Sequence, residues 1–512
     1  MVAELRGHAL VTIILLTSGV DFLLFGYDQG LFGGILAGTR FQNMLGNPNS
    51  TMSGLVTAIY DVGCAFGAVS AFLFGERIGR KRSIIYANII VIVGAIIQAA
   101  SYSYAQMFVA RILAGIGIGL STVAIPILQS ETLPAHNRGS LLVVQSALIV
   151  VGISIASWVC LGTLHAESSM QWRFPIACQI LFSFIVLVLC LWLPESPRWM
   201  AKTGNVEESR NLISRVLDKP LDSKEVESQL SEILKFLALE EEAGEAAWHE
   251  IFRNNTKSRN LQRVLLGMGP ERVAQFVEDS QSDNASYLGY ILQTFLGYSQ
   301  VVSLVLAGVA FTQCAIFSTP PYFFIDKIGR RNTIMLSSGA CAVCLFIISG
   351  SLQHQRSADA AAAVAFIFLY LDCYVLGFLP VSWSYSAEIQ PLRVRNKATA
   401  IGVFSHWISN FVVVMVTPIG INNIGGNFFW IWAIICALFV PVAYVFGVET
   451  SGRTLEEVDL MFFNEPRIMM GLNSNHRRVI RTSPGGGAAQ VRVVKAQGDG
   501  SDLEATQAKE KA

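Results

Sequence analysis

Ionisable side chains inside apolar runs are costly in lipid, and they persist where they are paired or do work. Asp21, Asp28, Asp61 and Arg111 all fall within, or at the ends of, long apolar stretches early in the chain. A buried Arg111 needs an acidic partner, and we assign it Asp28, in the Gly-Tyr-Asp-Gln-Gly run of residues 26–30. Such a pair either exchanges a proton when its members separate or stands as a static buried bridge.

A second group is polar or aromatic. Gln145, Trp383 after Pro380, and the neighbours His406 and Trp407 interrupt apolar runs. Amides and ring faces suit a ligand with apolar C–H faces and hydroxyl edges, although any one of them alone also serves as core. A third group pairs acids with arginines in short motifs: Glu76 with Arg77 and Arg80, Glu131 with Arg138, Glu195 with Arg198, and Glu388 with Arg393 and Arg395, with Arg330 in a second basic motif. Ion pairs at helix ends either latch one of two rigid states or anchor those ends to lipid headgroups. Gly115, Gly117 and Gly119, with Gly63 and Gly67, have the spacing of close helix contacts. There is no phosphate loop, HExxH or GxSxG, so neither an ATP-driven pump nor a membrane enzyme is expected, and no cofactor or metal site is predicted.

These residues need membrane helices to position them. The 512 residues are 52% hydrophobic and 14% charged, where soluble domains carry about 25% charge. Lys plus Arg equals Asp plus Glu at 37 each, so no charge excess points to nucleic acid. The nine cysteines are scattered through apolar stretches and form no metal-binding pattern. The first apolar run lacks a cleavage site and reads as a retained span. With about twenty residues per crossing, spans are predicted near 9–35, 52–74, 83–104, 107–128, 141–163 and 173–193, then 299–325, 332–352, 361–385, 398–420 and 427–447, with a short doubtful one at 285–296.

Residues 1–8 precede a first bundle (9–193), a polar linker with helical patterning covers 194–262, a second bundle covers 263–447, and the tail 448–512 ends in a stretch expected to be disordered. Arg77, Arg80, Lys81 and Arg82, then Lys327, Arg330 and Arg331, then Arg393, Arg395 and Lys397 occupy alternate loops, which puts both termini and the linker in the cytoplasm. GERIGRKR (75–82) recurs as IDKIGRR (325–331), SETLPAHNRG (130–139) as AEIQPLRVRN (387–396), and LPESPRW (193–199) as GVETSGR (447–453). Two parallel six-helix repeats follow, an arrangement that places a solute site where the halves meet.

Taken together, GYDQG, GERIGRKR, RILAGIGIG (111–119), the run from Pro126 to Gly139, PESPRW, the DKIGRR copy, Trp383 with AEIQPLRVR, and VETSGRTLEE (448–457) resemble the sugar porters of the major facilitator superfamily, most closely the fungal branch. The resemblance covers about residues 10–460. It implies an all-α membrane protein of twelve transmembrane helices, two six-helix bundles with a cytoplasmic helical linker, in the plasma membrane. It implies a hexose-like sugar bound by Gln145, Trp383, His406 and Trp407, proton symport or facilitated diffusion with Asp28 and Arg111 as the coupling pair, and a gate of Glu76, Arg80, Glu131, Arg138, Glu195, Arg330, Glu388 and Arg393.

Three places depart from the family. Gln145 stands one position from the usual glutamine, with Ser146 in its place, and His406 replaces an Asn or Gln. The seventh span reads GPERVAQFVEDSQSDNASYLGYILQ from Gly269, where only Gln275 and Tyr287 loosely fit. Glu271, Arg272, Glu278, Asp279 and Asp283 would enter lipid there at roughly 2.5 kcal/mol or more each. Either the segment is a gene-assembly error or part of the site is lost. Sugar transport, a non-transporting sugar sensor and a defective or misassembled transporter therefore stay open.

The predicted topology puts the sequon Asn49-Ser50-Thr51 outside and Asn254-Asn255-Thr256 inside. Expression in yeast, in an Asn284→Gln background that removes the further sequon Asn284-Ala285-Ser286, should give an endoglycosidase-sensitive mobility shift that Asn49→Gln abolishes and Asn254→Gln leaves alone. The opposite pattern would invert the topology.

Overall fold

Lipid offers backbone groups no hydrogen-bond partners, so a chain this apolar must satisfy them within helices. The computed structural model describes residues 5–36, 38–133, 138–243, 248–251, 259–269, 288, 292–293, 296–353, 357–390, 394–451, 453, 455–464 and 469–473, and no strand occurs among them. In chain order the helices are α1 (Gly7–Leu36), α2 (Thr39–Met44), α3 (Ser50–Ile78), α4 (Arg80–Ala99), α5 (Tyr104–Thr132), α6 (Arg138–Thr163), α7 (Met170–Leu189), α8 (Pro197–Lys202), α9 (Val206–Leu217), α10 (Lys224–Ala243), α11 (Trp248–Ile251) and α12 (260–269). Then come α13 (Gln300–Phe317), α14 (Pro321–Ile328), α15 (Arg330–Ser351), α16 (Ser357–Cys373), α17 (Leu379–Ile389), α18 (Arg395–Ile424), α19 (Phe428–Phe446) and α20 (Leu455–Asn464).

Ten helical runs among the described residues are long and apolar enough to cross a membrane. The last of them, Lys397–Phe446, holds both α18 and α19, separated by the 3-10 turn Gly425–Asn427. Every predicted span except 285–296 is met by one of these runs. That doubtful span and the charged segment 271–286 lie almost wholly outside the described residues, so Glu271, Arg272, Gln275, Glu278, Asp279, Asp283 and Tyr287 receive no structural account. The predicted span 361–385 is an interrupted helix: α16 widens into a π segment, Tyr374–Phe378, before α17. Pro380 has no N–H to offer the carbonyl of Leu376, and a wider turn accommodates the gap.

The early helices pack mainly among themselves: α1 against α6 and α7, α3 against α5, and α4 against α5 and α7. Later, α15 packs on α16 and α19. Two seams join the groups, α3 along α18 and α6 along α13. In the polar linker, Ser196 caps α8 and Pro197 opens it. Ile213 of α9 and Val226 and Leu230 of α10 close a small core of their own.

Glycines decide how near the helices come. A Cβ on Gly63 would stand 2.4 Å from the Ile112 carbonyl oxygen, one on Gly115 2.2 Å from that of Tyr60, and one on Gly119 2.0 Å from that of Cys64. The α3–α5 contact is thus backbone on backbone, as the spacing predicts. Gly119→Val should force the helices apart and abolish the monodisperse peak in size-exclusion chromatography of detergent extracts. Gly162→Val, where a Cβ meets nothing within 4 Å, should leave it intact.

Candidate transport site

The site grows from the α3–α5 contact. Arg111, on α5, is 2% exposed, and its Nη1 donates to Asp28 of α1 at 3.1 Å from Oδ2 and 3.4 Å from Oδ1. Nη2 donates to the Thr57 carbonyl at 2.9 Å and Nε to that of Val56 at 3.4 Å, both on α3. The guanidinium lies 3.8 Å from the Phe32 ring centroid and 4.5 Å from that of Tyr60. One cation therefore ties three helices together, and its ring contacts are worth most where water is excluded. Tyr60 and Gln179 lie near the same carboxylate, but the Tyr60 hydroxyl and the Gln179 amide are buried without a hydrogen-bond partner among the described residues. Neither stood out in the sequence, where each is one polar group in an apolar run.

Beside this cluster the halves meet. Trp407 of α18 is fully buried, its ring edge-on to Phe25 of α1 at 5.5 Å, to Tyr60 at 6.4 Å and to His406 at 5.3 Å. Its Nε1 is a buried donor with no hydrogen-bond partner among the described residues. Such a donor is costly unless something occupies it. Nearby on the same seam, Asn410 Nδ2 donates to Asp61 Oδ1 at 2.9 Å, both side chains buried. On the other seam Thr312 meets Ser154 and the Trp158 indole N–H, each at 2.9 Å.

The remaining expected ligand residues are placed differently. Gln145 is buried, with its amide nitrogen donating to Gln129 of α5. The side chain of Trp383 lies outside what the structure describes.

At the basic ends of the helices the repeat becomes geometric. Gly79 and Gly329 turn with φ of 94° and 93°, and each begins a helix whose first amides are capped by a distant carboxylate. Glu195 accepts from Arg80 N at 2.7 Å and Lys81 N at 3.1 Å. Its repeat counterpart Glu449 accepts from Arg330 N at 2.8 Å and Arg331 N at 3.2 Å. A carboxylate at an N-terminus meets both free N–H groups and the positive end of the helix dipole. Burial pushes the Glu449 carboxyl up from its ordinary range, while the Ser451, Arg330 and Arg331 N–H groups and the Arg330 charge pull it down.

Arg80 bridges Glu131 at 3.0 Å, and Arg330 approaches Glu388 at 3.5 Å. Glu76 pairs with Lys202 at 2.6 Å in a half-exposed contact that is worth little. In the Arg80–Glu131 and Arg330–Glu388 pairs an acid of one motif thus meets a base of another motif within the same half. The spacing within each motif suggested neighbours along the chain, and packing adds partners from distant motifs: Glu131 for Arg80 and Glu388 for Arg330. Arg393 and the side chain of Arg138 lie outside the described residues. Glu449, the capping residue not proposed above, was signalled by the match of LPESPRW to GVETSGR.

Two helical groups meeting along two seams, a doubled motif at their basic ends and a buried ion pair beside the seam define a multi-pass membrane transporter of the major facilitator fold. The family profile described as "Sugar (and other) transporter" matches residues 12–462. The MFS-type transporter oryC of Aspergillus oryzae is 36% identical over 475 residues, covering 91% of this chain and 88% of that one. Sugar transporter STL1 of Saccharomyces cerevisiae is 32% identical over 479 residues, covering 90% and 82%. The solved structure of the proton:xylose symporter XylE with 6-bromo-6-deoxy-D-glucose matches at TM-score 0.74 and 21% identity, covering 89% of this chain and 99% of that one, a likeness of fold. The chain belongs to the sugar transporter family of the major facilitator superfamily.

Removing one member of a buried ion pair strands the other, at about 3–5 kcal/mol. Arg111→Ala should lower the thermal unfolding midpoint of the purified protein far more than Lys202→Ala. Equal, small shifts would show that Arg111 is not the tie described.

Proposed function

We propose that this protein carries a hexose-like sugar across the plasma membrane by alternating access, coupled to protons through Asp28 and Arg111. The observation that carries the reading is the unpartnered Trp407 Nε1, buried where α18 meets α1 and α3 beside the ion pair. An indole there offers a face for the apolar side of a pyranose and a donor for a hydroxyl. His406 stands beside it, and Gln145 and Trp383 complete the proposed ligand set. A proton on Asp28 would discharge its pairing with Arg111 and loosen α1 from α3 and α5, which gives two states of different proton affinity. Bundles 9–193 and 263–447, joined by the linker 194–262, are the moving bodies. The residues Glu76, Arg80, Glu131, Arg138, Glu195, Arg330, Glu388 and Arg393 brace their cytoplasmic ends, and both termini lie in the cytoplasm.

Cells without their own sugar porters, expressing this chain, should take up labelled hexose, and a protonophore should abolish accumulation. Asp28→Asn should keep sugar exchange while losing accumulation against a gradient, and Trp407→Ala should lose uptake at normal surface level. Uptake indifferent to the protonophore would remove the coupling. No uptake of any sugar by a correctly inserted protein would remove the transport reading.

A further inference from the structure

Asp21 takes no part in the ion pair. It sits seven residues before Asp28 on α1, two turns and about 10 Å along the axis on the same helix face. Its side chain is 1% exposed. Asn88 of α4 donates Nδ2–H to its Oδ1 at 2.8 Å, and Ser121 of α5 lies within hydrogen-bonding reach. No Lys, Arg or His nitrogen among the described residues pairs with it.

The donors around Asp21 are already in use. Asn88 also donates to the Ile84 carbonyl at 3.0 Å, and its Oδ1 is buried without a partner. The Ser121 hydroxyl donates to the Ile118 carbonyl at 3.1 Å. An anionic Asp21 would have no cation, one committed donor in Asn88, a Ser121 hydroxyl shared with the Ile118 carbonyl and an unpaired amide oxygen close by, and an ion so placed takes up a proton before it keeps its charge. A proton on Asp21 would add a donor to the cluster: its O–H would reach Ser121 Oγ, which can accept while its own hydrogen goes to the Ile118 carbonyl. The titratable groups facing this pocket are Cys190, just past α7, and beyond it Lys81 in the first turn of α4. From α6 the neighbouring surface is the apolar Leu148, against Gly19.

We propose that Asp21 is a second proton-binding site, an inner carboxyl distinct from Asp28 that binds one proton between α1, α4 and α5. On the reading above, which sets its place in the cycle, it lies on the cytoplasmic side of Asp28 and holds the proton before inward release. Its occupancy is measurable without transport. Infrared spectra of the full-length protein in lipid nanodiscs, recorded across a pH series, should show a protonated-carboxyl band that Asp21→Asn removes and Asp28→Asn leaves. Ser121→Ala should move that band, because the acceptor of the O–H is gone, and it decides the matter if Asp21→Asn does not fold. A carboxyl region unchanged in Asp21→Asn, or in Ser121→Ala where only that variant folds, overturns the proposal. If the band depends on Asp21 but sugar uptake ignores a protonophore, the site stands and only the coupling reading falls. If uptake is proton-driven and the band ignores Asp21, the failure is of this site alone.

Discussion

A guanidinium cannot be left bare in a membrane interior, and much of the N-terminal half is arranged around satisfying Arg111. Its donors go to the Asp28 carboxylate on α1 and to the Val56 and Thr57 carbonyls on α3. Those carbonyls are in reach because Gly63 and Gly115 let α3 and α5 touch through their backbones. The ion pair and the glycine contacts are therefore one constraint. Larger side chains at the glycines would withdraw the carbonyls, and the loss of Asp28 would leave a buried charge with neutral partners alone. Interfaces of this kind move between discrete arrangements more readily than they deform.

The same economy appears at the basic helix ends, twice. Glu195 and Glu449 each reach from after their bundle's last long helix to cap an inner one, at Arg80 and Arg330. Each capped helix starts at a glycine with positive φ, a conformation costly to other residues. These contacts close within each half. The seams α3–α18 and α6–α13 are where the halves touch, and there an amide bonds a carboxylate at Asn410 and Asp61, and a threonine is shared by Ser154 and Trp158.

Trp407 sits where these features converge. Its ring is packed by Phe25 and Tyr60, and Tyr60 also lies under Arg111. The indole and the ion pair thus share a side chain, so a shift at one is felt at the other by direct contact.

From the sequence alone came the spans, the linker helices, the repeat and the pairing of Asp28 with Arg111. Each reflects a demand that lipid or water places on a local stretch: twenty apolar residues to cross, polar periodicity outside, and a partner for any buried charge. The helix α9 covers the residues whose pattern predicted it, Val206–Leu217, because amphipathic spacing is local information. Tertiary structure decided which acid meets which base. Glu131 lies beside Arg80, 51 residues away, and Glu195 spends its oxygens on backbone amides, which have no signature in a side-chain alphabet. It also decided that Trp407 keeps an unpartnered N–H, that Gln145 turns to Gln129, and that Asp21 is sealed with an amide and a hydroxyl. These depend on which faces of distant helices are brought together, and a hydropathy pattern records that a face is buried without recording against what.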